Sequence, residues 1–343
     1  MGRIGTYALI NAKVRAMRSL LLDERAYRTL LAAGSYRDLL VQLAGLGYGE
    51  MVDRVGYHHP AGLERALIRE EIDRIRHIEK FSSGHLKTFA RLLLERYESE
   101  SLKVILRVWF NEGSGLEQID PEPVLHEFPV DALLSSKSLK DFIGLLGGAP
   151  YAGPLTGAAD AFQKHQSVFP LELAIDRMGI ERLTDYLRDT DRTDRRIIRQ
   201  LMGIEIDLRN LSWAGRFKTY YKMSSAEVVR NLLPWGYRLN TAKIRRMVAE
   251  GQYVSVILAL SPEIRNLLPE NIEDRVALES LETFIYRILF REAGRAFGEF
   301  PFSIGSVLGY YYLIRIESRN IRFLVEARQL GLTEEETESV LIF

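Results

Sequence analysis

The sequence contains no cysteine, and this absence removes several classes of chemistry. Disulfide bonds, thiolate catalysis and thiolate ligation of zinc or iron–sulfur clusters are all excluded. Because disulfides belong to oxidising compartments, a chain without cysteine suits a reducing one. The expected location is therefore the cytoplasm.

Neither sign of charge is in surplus. Lys and Arg together number 46, Asp and Glu together number 46, and the formal net charge is zero. A dedicated nucleic-acid binder usually has a basic surplus, so nucleic acid is not an expected partner. A basic stripe at Arg238, Lys243, Arg245 and Arg246 lacks the interleaved aromatic residues of a stacking site. We interpret the stripe as a solvated or interface face.

Long apolar runs are also missing. No window approaches the ~20 uninterrupted apolar residues that a membrane-spanning helix needs. The apolar residues near the N-terminus are interrupted by Lys13, Arg15 and Arg18, which is not the pattern of a signal peptide. We expect no membrane span, so any work at a membrane would require docking onto a protein that spans it.

The sequence has no nucleotide-binding motif of the type Gly-x-x-x-x-Gly-Lys-Ser/Thr, and no His-Glu-x-x-His zinc motif. The most enzyme-like cluster is Asp189, Asp191 and Asp194. Carboxylates one helical turn apart could bind Mg²⁺ and a diphosphate, as in all-helical prenyl-diphosphate enzymes. The alternative is that these acids cap the helix that follows, where the helix dipole favours them. No cofactor or metal is expected.

Helical periodicity dominates what the sequence does contain. Between residues 63 and 81, apolar residues recur every three or four positions among many charges, which is typical of an amphipathic helix. Similar patterns predict long helices over residues 85–111, 192–221, 273–297 and 304–330. No run alternates apolar and polar residues as a half-buried strand does. The expected fold class is all-α.

The chain also repeats itself. Residues 133–143 follow the pattern of residues 30–40 at an offset of 103 (133 − 30), and both contain a Ser-x-x-Asp cap. A third copy begins at Met247, at an offset of 217 (247 − 30). Each copy predicts a short helix, a polar turn and a second short helix.

A second repeated element lies near the end of each third of the chain. Similar five-residue segments begin at Glu100, Asp207 and Glu317, separated by 107 (207 − 100) and 110 (317 − 207) residues. We therefore predict three related helical repeats, since chance likeness between Leu-rich helices is the weaker explanation. Their boundaries are 1–115, 116–225 and 226–343, and the N-terminal helix is a candidate to pack with the third repeat.

Five stretches carry a resemblance to a known family: residues 7–21, 206–211, 232–236, 301–321 and 331–336. Their order and spacing resemble the C subunit of the V/A-type (archaeal and bacterial vacuolar-type) ATPases and ATP synthases, which is homologous to the d subunit of the eukaryotic V-ATPase. Lys13 stands where Arg is commoner in that family, and Trp235 departs from its Pro-Gly-Gly turn. The resemblance spans nearly the whole chain.

The resemblance implies a fold and a role. The family's fold is three similar helical sub-bundles around a pseudo-threefold axis, forming a funnel. The family's role is that of a non-catalytic central-stalk, or rotor, subunit. It joins the central-shaft subunits, of the D/F type, to the membrane c/K ring that carries protons or Na⁺. The implied protein is peripheral to the membrane through that complex and monomeric when isolated.

Six polar residues are the candidates for this role: Arg15, Arg18, Arg209, Asn210, Arg319 and Asn320. They line or brace the cavity that receives the shaft, or else brace the repeats internally through buried Arg–Glu pairs. Two other functions stay open at this point. One is the Mg²⁺/diphosphate enzyme, and the other is a helical scaffold or adaptor for other partners.

Overall fold

The computed structural model describes residues 3–55, 60–120, 122–219, 223–239, 241–250, 274–299 and 302–343. Within these ranges the regular elements are all helical, and no β-strand occurs. The all-α prediction is therefore confirmed. No helix in the described ranges combines the length and apolarity needed to cross a bilayer.

The helices are labelled in chain order. They are α1 (Arg3–Arg18), α2 (Glu24–Leu31), α3 (Tyr36–Leu43), α4 (Gly49–Val55), α5 (Pro60–Phe81), α6 (Gly84–Phe110), α7 (Val130–Leu134), α8 (Leu139–Gly144), α9 (Ala152–Gly157), α10 (Ala159–His165), α11 (Phe169–Arg188), α12 (Arg192–Thr219), α13 (Ser225–Arg230), α14 (Thr241–Glu250), α15 (Asp274–Glu299), α16 (Gly305–Leu330) and α17 (Glu334–Val340). The predicted long helices correspond to α5, α6, α12, α15 and α16.

One compact unit comprises residues 37–190. Its long helices α5 and α6 pack against each other, and α11 packs on α6 and on α9. The core of this unit joins Leu102 and Leu106 of α6 to Phe142 and Tyr151, all of them buried. Burying a side chain of this size stabilises the fold by roughly 1.5–3 kcal/mol.

The other compact unit comprises residues 1–36 together with residues 191–343, so it contains both ends of the described chain. Helices α15 and α16 pack along each other, α12 packs on α15, and α1 packs on α16. The side chains of α16 between Gly305 and Ile314 are all buried. Helix α16 is thus the central helix of this unit, and the absence of charged residues between Gly305 and Ile314 is what such burial requires.

The predicted short hairpins are present where the structure describes them. The first copy gives α2 and α3, the second gives α7 and α8, and the third gives α14. The cap of the second copy forms as expected, because Ser138 Oγ accepts a hydrogen bond from the backbone N–H of Asp141 at 3.2 Å. The second half of the third copy lies outside the described residues.

Helix α11 was not predicted from the sequence, although it has 20 residues. Its sequence signals are Pro170 in the first turn and the buried residues Leu171, Ile175 and Met178, spaced by four and three. The partition into three repeats at 1–115, 116–225 and 226–343 stays a prediction.

Candidate functional site

Helix α6 holds the chain that follows it through a buried carboxylate. Glu98 is 1% exposed, and its Oε2 accepts hydrogen bonds from the backbone N–H groups of Leu125 at 2.9 Å and His126 at 2.6 Å. Its Oε1 accepts a hydrogen bond from the Tyr151 hydroxyl at 2.9 Å and lies 2.8 Å from His126 Nδ1. Hydrogen bonds to an ionised acceptor contribute about 1.5–3 kcal/mol each, so this carboxylate fixes the linker firmly.

Helix α12 holds its own following segment in the same way. Asp207 is 1% exposed and accepts hydrogen bonds from the backbone N–H groups of Arg238 at 2.7 Å and Leu239 at 3.2 Å. Gly236 is needed beside it, because an added Cβ would lie 2.1 Å from Asp207 Oδ1. Burial raises the pKa of Asp207 to about 6, and the hydrogen bonds from the Arg238 and Leu239 backbone act against that rise.

Helix α16 likewise holds a segment near the beginning of the chain through a buried carboxylate. Glu317 is 3% exposed, and its Oε2 accepts a hydrogen bond from the backbone N–H of Leu22 at 2.5 Å. The same carboxylate lies close to Tyr27, whose pKa is raised by burial and then by the negative charge of Glu317. Tyr27 in turn stacks on the ring of Phe343 at a centroid distance of 5.2 Å.

The backbone N–H groups that these three carboxylates bind recur at equivalent positions. Leu125 follows Leu22 by 103 residues (125 − 22), and Leu239 follows it by 217 (239 − 22). Those are the offsets that relate the repeated hairpins. We call each pairing of a long-helix carboxylate with the backbone N–H of Leu22, Leu125 or Leu239 a carboxylate clasp. This recurrence of the bound N–H groups is what the predicted repeats would produce, and the repeats themselves stay a prediction.

Two of the six predicted residues have matching structural roles. Asn210 is 2% exposed, donates from Nδ2 to the Leu233 carbonyl at 2.9 Å and accepts from the Leu233 N–H at 2.8 Å. Asn320 is fully buried, donates to the Ile342 carbonyl at 2.6 Å and accepts from the Ile342 N–H at 3.2 Å. Each carboxamide takes the place of a backbone hydrogen-bonding partner and attaches a segment to the helix that carries the Asn. Asn210 and Asn320 each lie three residues after a clasp carboxylate.

The two arginines of α1 lie together against one aromatic ring. The guanidinium carbon of Arg15 is 5.2 Å from the centroid of Phe297, and that of Arg18 is 4.5 Å from it. Arg15 also donates to Asn11 Oδ1 at 3.3 Å. Cations over an aromatic face gain about 0.5–1 kcal/mol at exposed sites, so these contacts attach α1 to α15.

The remaining two predicted residues make further contacts within their unit. Arg209 is 3.7 Å from Glu205 on the same helix, and Glu205 also accepts from Arg315 at 3.1 Å and from the Tyr312 hydroxyl at 2.7 Å. Arg319 donates to the Val340 carbonyl at 3.3 Å and lies 5.0 Å from the ring centroid of Tyr286. The structure thus gives all six residues contacts inside the chain. Their role at a partner interface stays a prediction.

The acidic cluster at the start of α12 caps the helix. Asp191 Oδ1 accepts hydrogen bonds from the backbone N–H groups of Thr193 at 2.8 Å and Asp194 at 3.1 Å. Asp194 is 1% exposed and accepts from the Tyr7 hydroxyl and from the Ile304 N–H. Burial raises the pKa of Asp194, and these hydrogen bonds oppose the rise. Asp191 therefore caps α12, whereas the side chain of Asp194 binds Tyr7 and Ile304 instead. Among the residues described, the structure contains no cluster of three or more His, Cys, Asp or Glu that could hold a metal ion.

The clasps themselves were not predicted from the sequence. Asp207 and Glu317 begin repeated segments that the sequence singles out, but the equivalent role in the first repeat belongs to Glu98 and not to Glu100. The sequence does contain one signal that could have indicated the clasps. Leu22, Leu125 and Leu239 are separated by the same offsets as the repeated hairpins that follow them.

A family model and several curated proteins are similar to this chain over most of its length. The family model for the ATP synthase (C/AC39) subunit matches residues 10–340. The C subunit of the A-type ATP synthase of Methanocaldococcus jannaschii is 23% identical, over 99% of this chain and 87% of its own. The protein of the same name from Halorubrum lacusprofundi is 24% identical, over 96% of each chain. That from Methanosphaera stadtmanae is 24% identical, over 94% of this chain and 84% of its own. With nearly its whole length matched, the chain belongs to the ATP synthase (C/AC39) subunit family.

Proposed function

We propose that this chain is the non-catalytic central-stalk subunit that couples the soluble shaft of a V/A-type rotary ATP synthase to its membrane ring. The curated relatives are named as C subunits of A-type ATP synthases, which supports a place in such a complex. The observation that carries the coupling role is the carboxylate clasp, which recurs at Glu98, Asp207 and Glu317.

A subunit that transmits torque must not deform between the surface that receives the torque and the surface that passes it on. Helices resist bending because their backbone hydrogen bonds run continuously along them. Linkers between helices are the compliant parts, and the clasps fix three such linkers to long helices. Asn210 and Asn320 add a second attachment after two of the clasps. This pattern of reinforcement suits a rotor part better than a flexible adaptor.

The three clasps also support the proposed three-repeat organisation. The carboxylate of one repeat binds the N–H that begins the next, and Glu317 of the third binds Leu22 of the first. An order of this kind, in which the last repeat returns to the first, is what a closed threefold set of sub-bundles needs. An open solenoid has no such return contact.

The proposed partners are the shaft subunits, of the D/F type, and the c/K ring that carries protons or Na⁺. The chain would lie peripheral to the membrane, attached through the ring, and would be a monomer when isolated. Its own role needs no active site, since nucleotide chemistry and ion translocation belong to other subunits.

The test is a direct assembly experiment. The chain is mixed with the purified shaft heterodimer of its own organism, and in a separate sample with the detergent-solubilised ring, and each mixture is analysed by size exclusion with light scattering. We expect a one-to-one complex with the shaft and one copy of the chain on each ring. Failure to associate with either component would contradict the proposal.

A further inference from the structure

A segment that comes after α6 lies along α5 as a strap. The strap comprises residues 119–126, and together with α5 and α6 it belongs to one compact unit of the chain. Three arginines of α5 hold it through hydrogen bonds, and they are Arg65, Arg69 and Arg76. Their spacing of four and seven residues places them on one face of the helix. With Glu98 of α6 they form what we call the strap site.

The arginines bind the strap through its backbone carbonyls. Arg69 Nη2 donates to the Glu122 carbonyl at 2.7 Å, and Arg76 Nη2 donates to the Val124 carbonyl at 3.0 Å. The Pro123 carbonyl accepts from both arginines, at 3.4 Å from Arg69 and at 2.5 Å from Arg76. Carbonyl oxygens belong to the backbone of every peptide, so this part of the site does not require a particular side chain.

The strap site also binds backbone N–H groups, at its other end. Glu98 Oε2 accepts hydrogen bonds from the N–H groups of Leu125 and His126, at 2.9 Å and 2.6 Å. Cations thus face the carbonyls of one short segment, and an anion faces its N–H groups. Hydrogen bonds to charged groups are the stronger ones, so this arrangement gives the site affinity for a peptide main chain.

Acidic side chains of the strap add contacts that a neutral peptide would lack. Arg69 Nη2 donates to Asp120 Oδ2 at 2.7 Å, and Arg69 Nε lies 3.3 Å from Glu122 Oε2. Each of these acids precedes a proline in the sequence. Proline has a fixed φ and restricts the residue before it, so the free segment loses little conformational entropy when it binds. Acidic residues and proline together therefore define the ligand that the site selects.

The strap site should persist when the strap leaves it. Helices α5 and α6 pack directly against each other. Glu98 would keep its hydrogen bond from the Tyr151 hydroxyl at 2.9 Å, and Arg76 would keep Asp73 at 3.2 Å. Water would take the place of the strap around Arg69. The charged groups of the site would thus remain satisfied, and the strap relates to α5 and α6 as a ligand does to its receptor.

We propose that the strap site is a peptide-binding site whose ligand is an acidic segment containing proline, and that residues 119–126 occupy it within the chain. The strap thereby closes the site to other segments. A segment tethered to its own site competes at an effective concentration that is roughly millimolar. A separate peptide should therefore gain access only when the strap is removed. The inference goes beyond the stalk role and does not depend on it.

The experiment separates the strap from its site. In the test variant of the full chain, residues 120–126 are replaced by an equally long segment of Gly and Ser, so that buried Ile119 is retained. The probe is a fluorescently labelled synthetic peptide of residues 120–127 with blocked ends. Its binding to the test variant and to wild type is measured by fluorescence anisotropy at low and physiological salt. Circular dichroism and thermal unfolding establish that the test variant folds.

Two control peptides and two further variants make the test specific. One control peptide has the same composition in scrambled order, and the other carries Asp120→Asn with Glu122→Gln. In the background of the test variant, Arg76→Gln removes a residue of the site. The matched control is Arg54→Gln, at an exposed position of α4 in the same unit.

We expect the test variant to bind the probe at least about tenfold more tightly than wild type does, because wild type keeps its site filled. Each control peptide should bind the test variant at least about tenfold more weakly than the probe, and Arg76→Gln should have an effect of similar size. Arg54→Gln should stay within about twofold. The affinity should fall as salt is added, since the site attracts acidic side chains through arginines.

Three outcomes would overturn the proposal. If the folded test variant does not bind the probe, the strap is ordinary loop packing with no affinity of its own. If the scrambled peptide binds as tightly as the probe, the attraction is only one of net charge. If wild type binds as tightly as the test variant, the peptide binds somewhere other than the strap site.

A second form of the experiment covers the case in which the replacement prevents folding. Protease sites inserted at the exposed residues Gly113 and Glu127 allow the strap to be cut out of the otherwise wild-type folded chain. The excised strap should stay bound during size exclusion at low salt, and an excess of the labelled peptide should displace it. An excised strap that separates from the protein at low salt contradicts the proposal.

Discussion

The carboxylate of Glu317 accepts a hydrogen bond from the backbone N–H of Leu22, which lies 295 residues earlier in the chain. Replacing Glu317 with Ala leaves that N–H without its charged acceptor. We expect the free energy of unfolding to fall by about 2–3 kcal/mol. We also expect exchange of the Leu22 amide hydrogen, followed by mass spectrometry or NMR, to accelerate at least about tenfold.

The control for this variant is Glu326→Ala, which removes an exposed carboxylate from the same helix. It should leave both quantities within experimental scatter. The local readout matters as much as the stability, because only a clasp predicts that the Leu22 amide responds more than other amides of α1 and α2. Unchanged exchange at Leu22 in the Glu317→Ala variant would contradict the clasp.

The raised pKa of Asp207 predicts that the free energy of unfolding decreases as the pH rises. Its pKa in the folded protein is about 6, against an ordinary value of 3.8. Between these values the folded state binds more protons than the unfolded state, so the stability contributed by this group is full below about pH 4 and is lost as the pH rises through 6. The loss is on the order of 3 kcal/mol for a shift of this size.

The measurement that isolates Asp207 is the difference in unfolding free energy between wild type and Asp207→Asn across pH 4–7. Asn cannot titrate, so the deficit of the variant should shrink by up to about 3 kcal/mol as the pH rises. A deficit that stays constant would show that the carboxylate does not titrate in this range, and one that grows with pH would show that folding lowers its pKa instead of raising it.

Replacing Asn210 or Asn320 with Ala should lower the free energy of unfolding by similar amounts. Substitution of either with Ala leaves a buried backbone N–H and a buried carbonyl without partners, and each unsatisfied group costs about 1–3 kcal/mol. We expect both variants to lose at least about 2 kcal/mol in denaturant unfolding, while Gln329→Ala, at an exposed position of α16, loses almost nothing. A neutral result at either Asn would mean that water satisfies those groups.

Gly203 sets how closely the loop after α13 approaches α12. A Cβ added there would lie 2.8 Å from Tyr237 Cβ and 3.1 Å from the Trp235 carbonyl oxygen. Gly203→Ala should therefore destabilise by about 1–3 kcal/mol through overpacking. Gly179→Ala in α11 has open space and should gain up to about 1 kcal/mol from helix propensity. Equal effects of the two substitutions on Tm would refute the close packing.

Arg18 and Phe297 allow the bracing interpretation to be measured. A double-mutant cycle with Arg18→Ala and Phe297→Leu should give a coupling energy of about 0.5–1 kcal/mol in the isolated chain. Strict additivity would mean that the cation–π contact contributes nothing. In that case Arg18 would return as a candidate for the partner interface.

The long helices could be predicted from the sequence because their apolar stripes are periodic over many turns. The short hairpins α2–α3 and α7–α8 could be predicted for the same kind of reason, since residues 30–40 and 133–143 share one pattern. Helix α11 could not be predicted as easily, because the Gly and Pro residues that dominate the segment before it favour a loop.

The clasps could not be predicted because they join residues through burial that a sequence does not reveal. Glu98, Asp207 and Glu317 look like the solvated acids of any amphipathic helix, yet each is at most 3% exposed. The six polar candidates illustrate the same difficulty. A pattern can place Asn320 on a helix, but only the fold shows that its carboxamide pairs with Ile342.

The central claim is that this chain couples a shaft to an ion-carrying ring. The most direct measurement is ATP-driven ion accumulation in vesicles that contain the purified complex, with the chain removed and then added back. The account predicts that the depleted complex hydrolyses ATP without accumulating ions, and that the added chain restores accumulation. Undiminished ion accumulation per ATP hydrolysed in the depleted complex would contradict it.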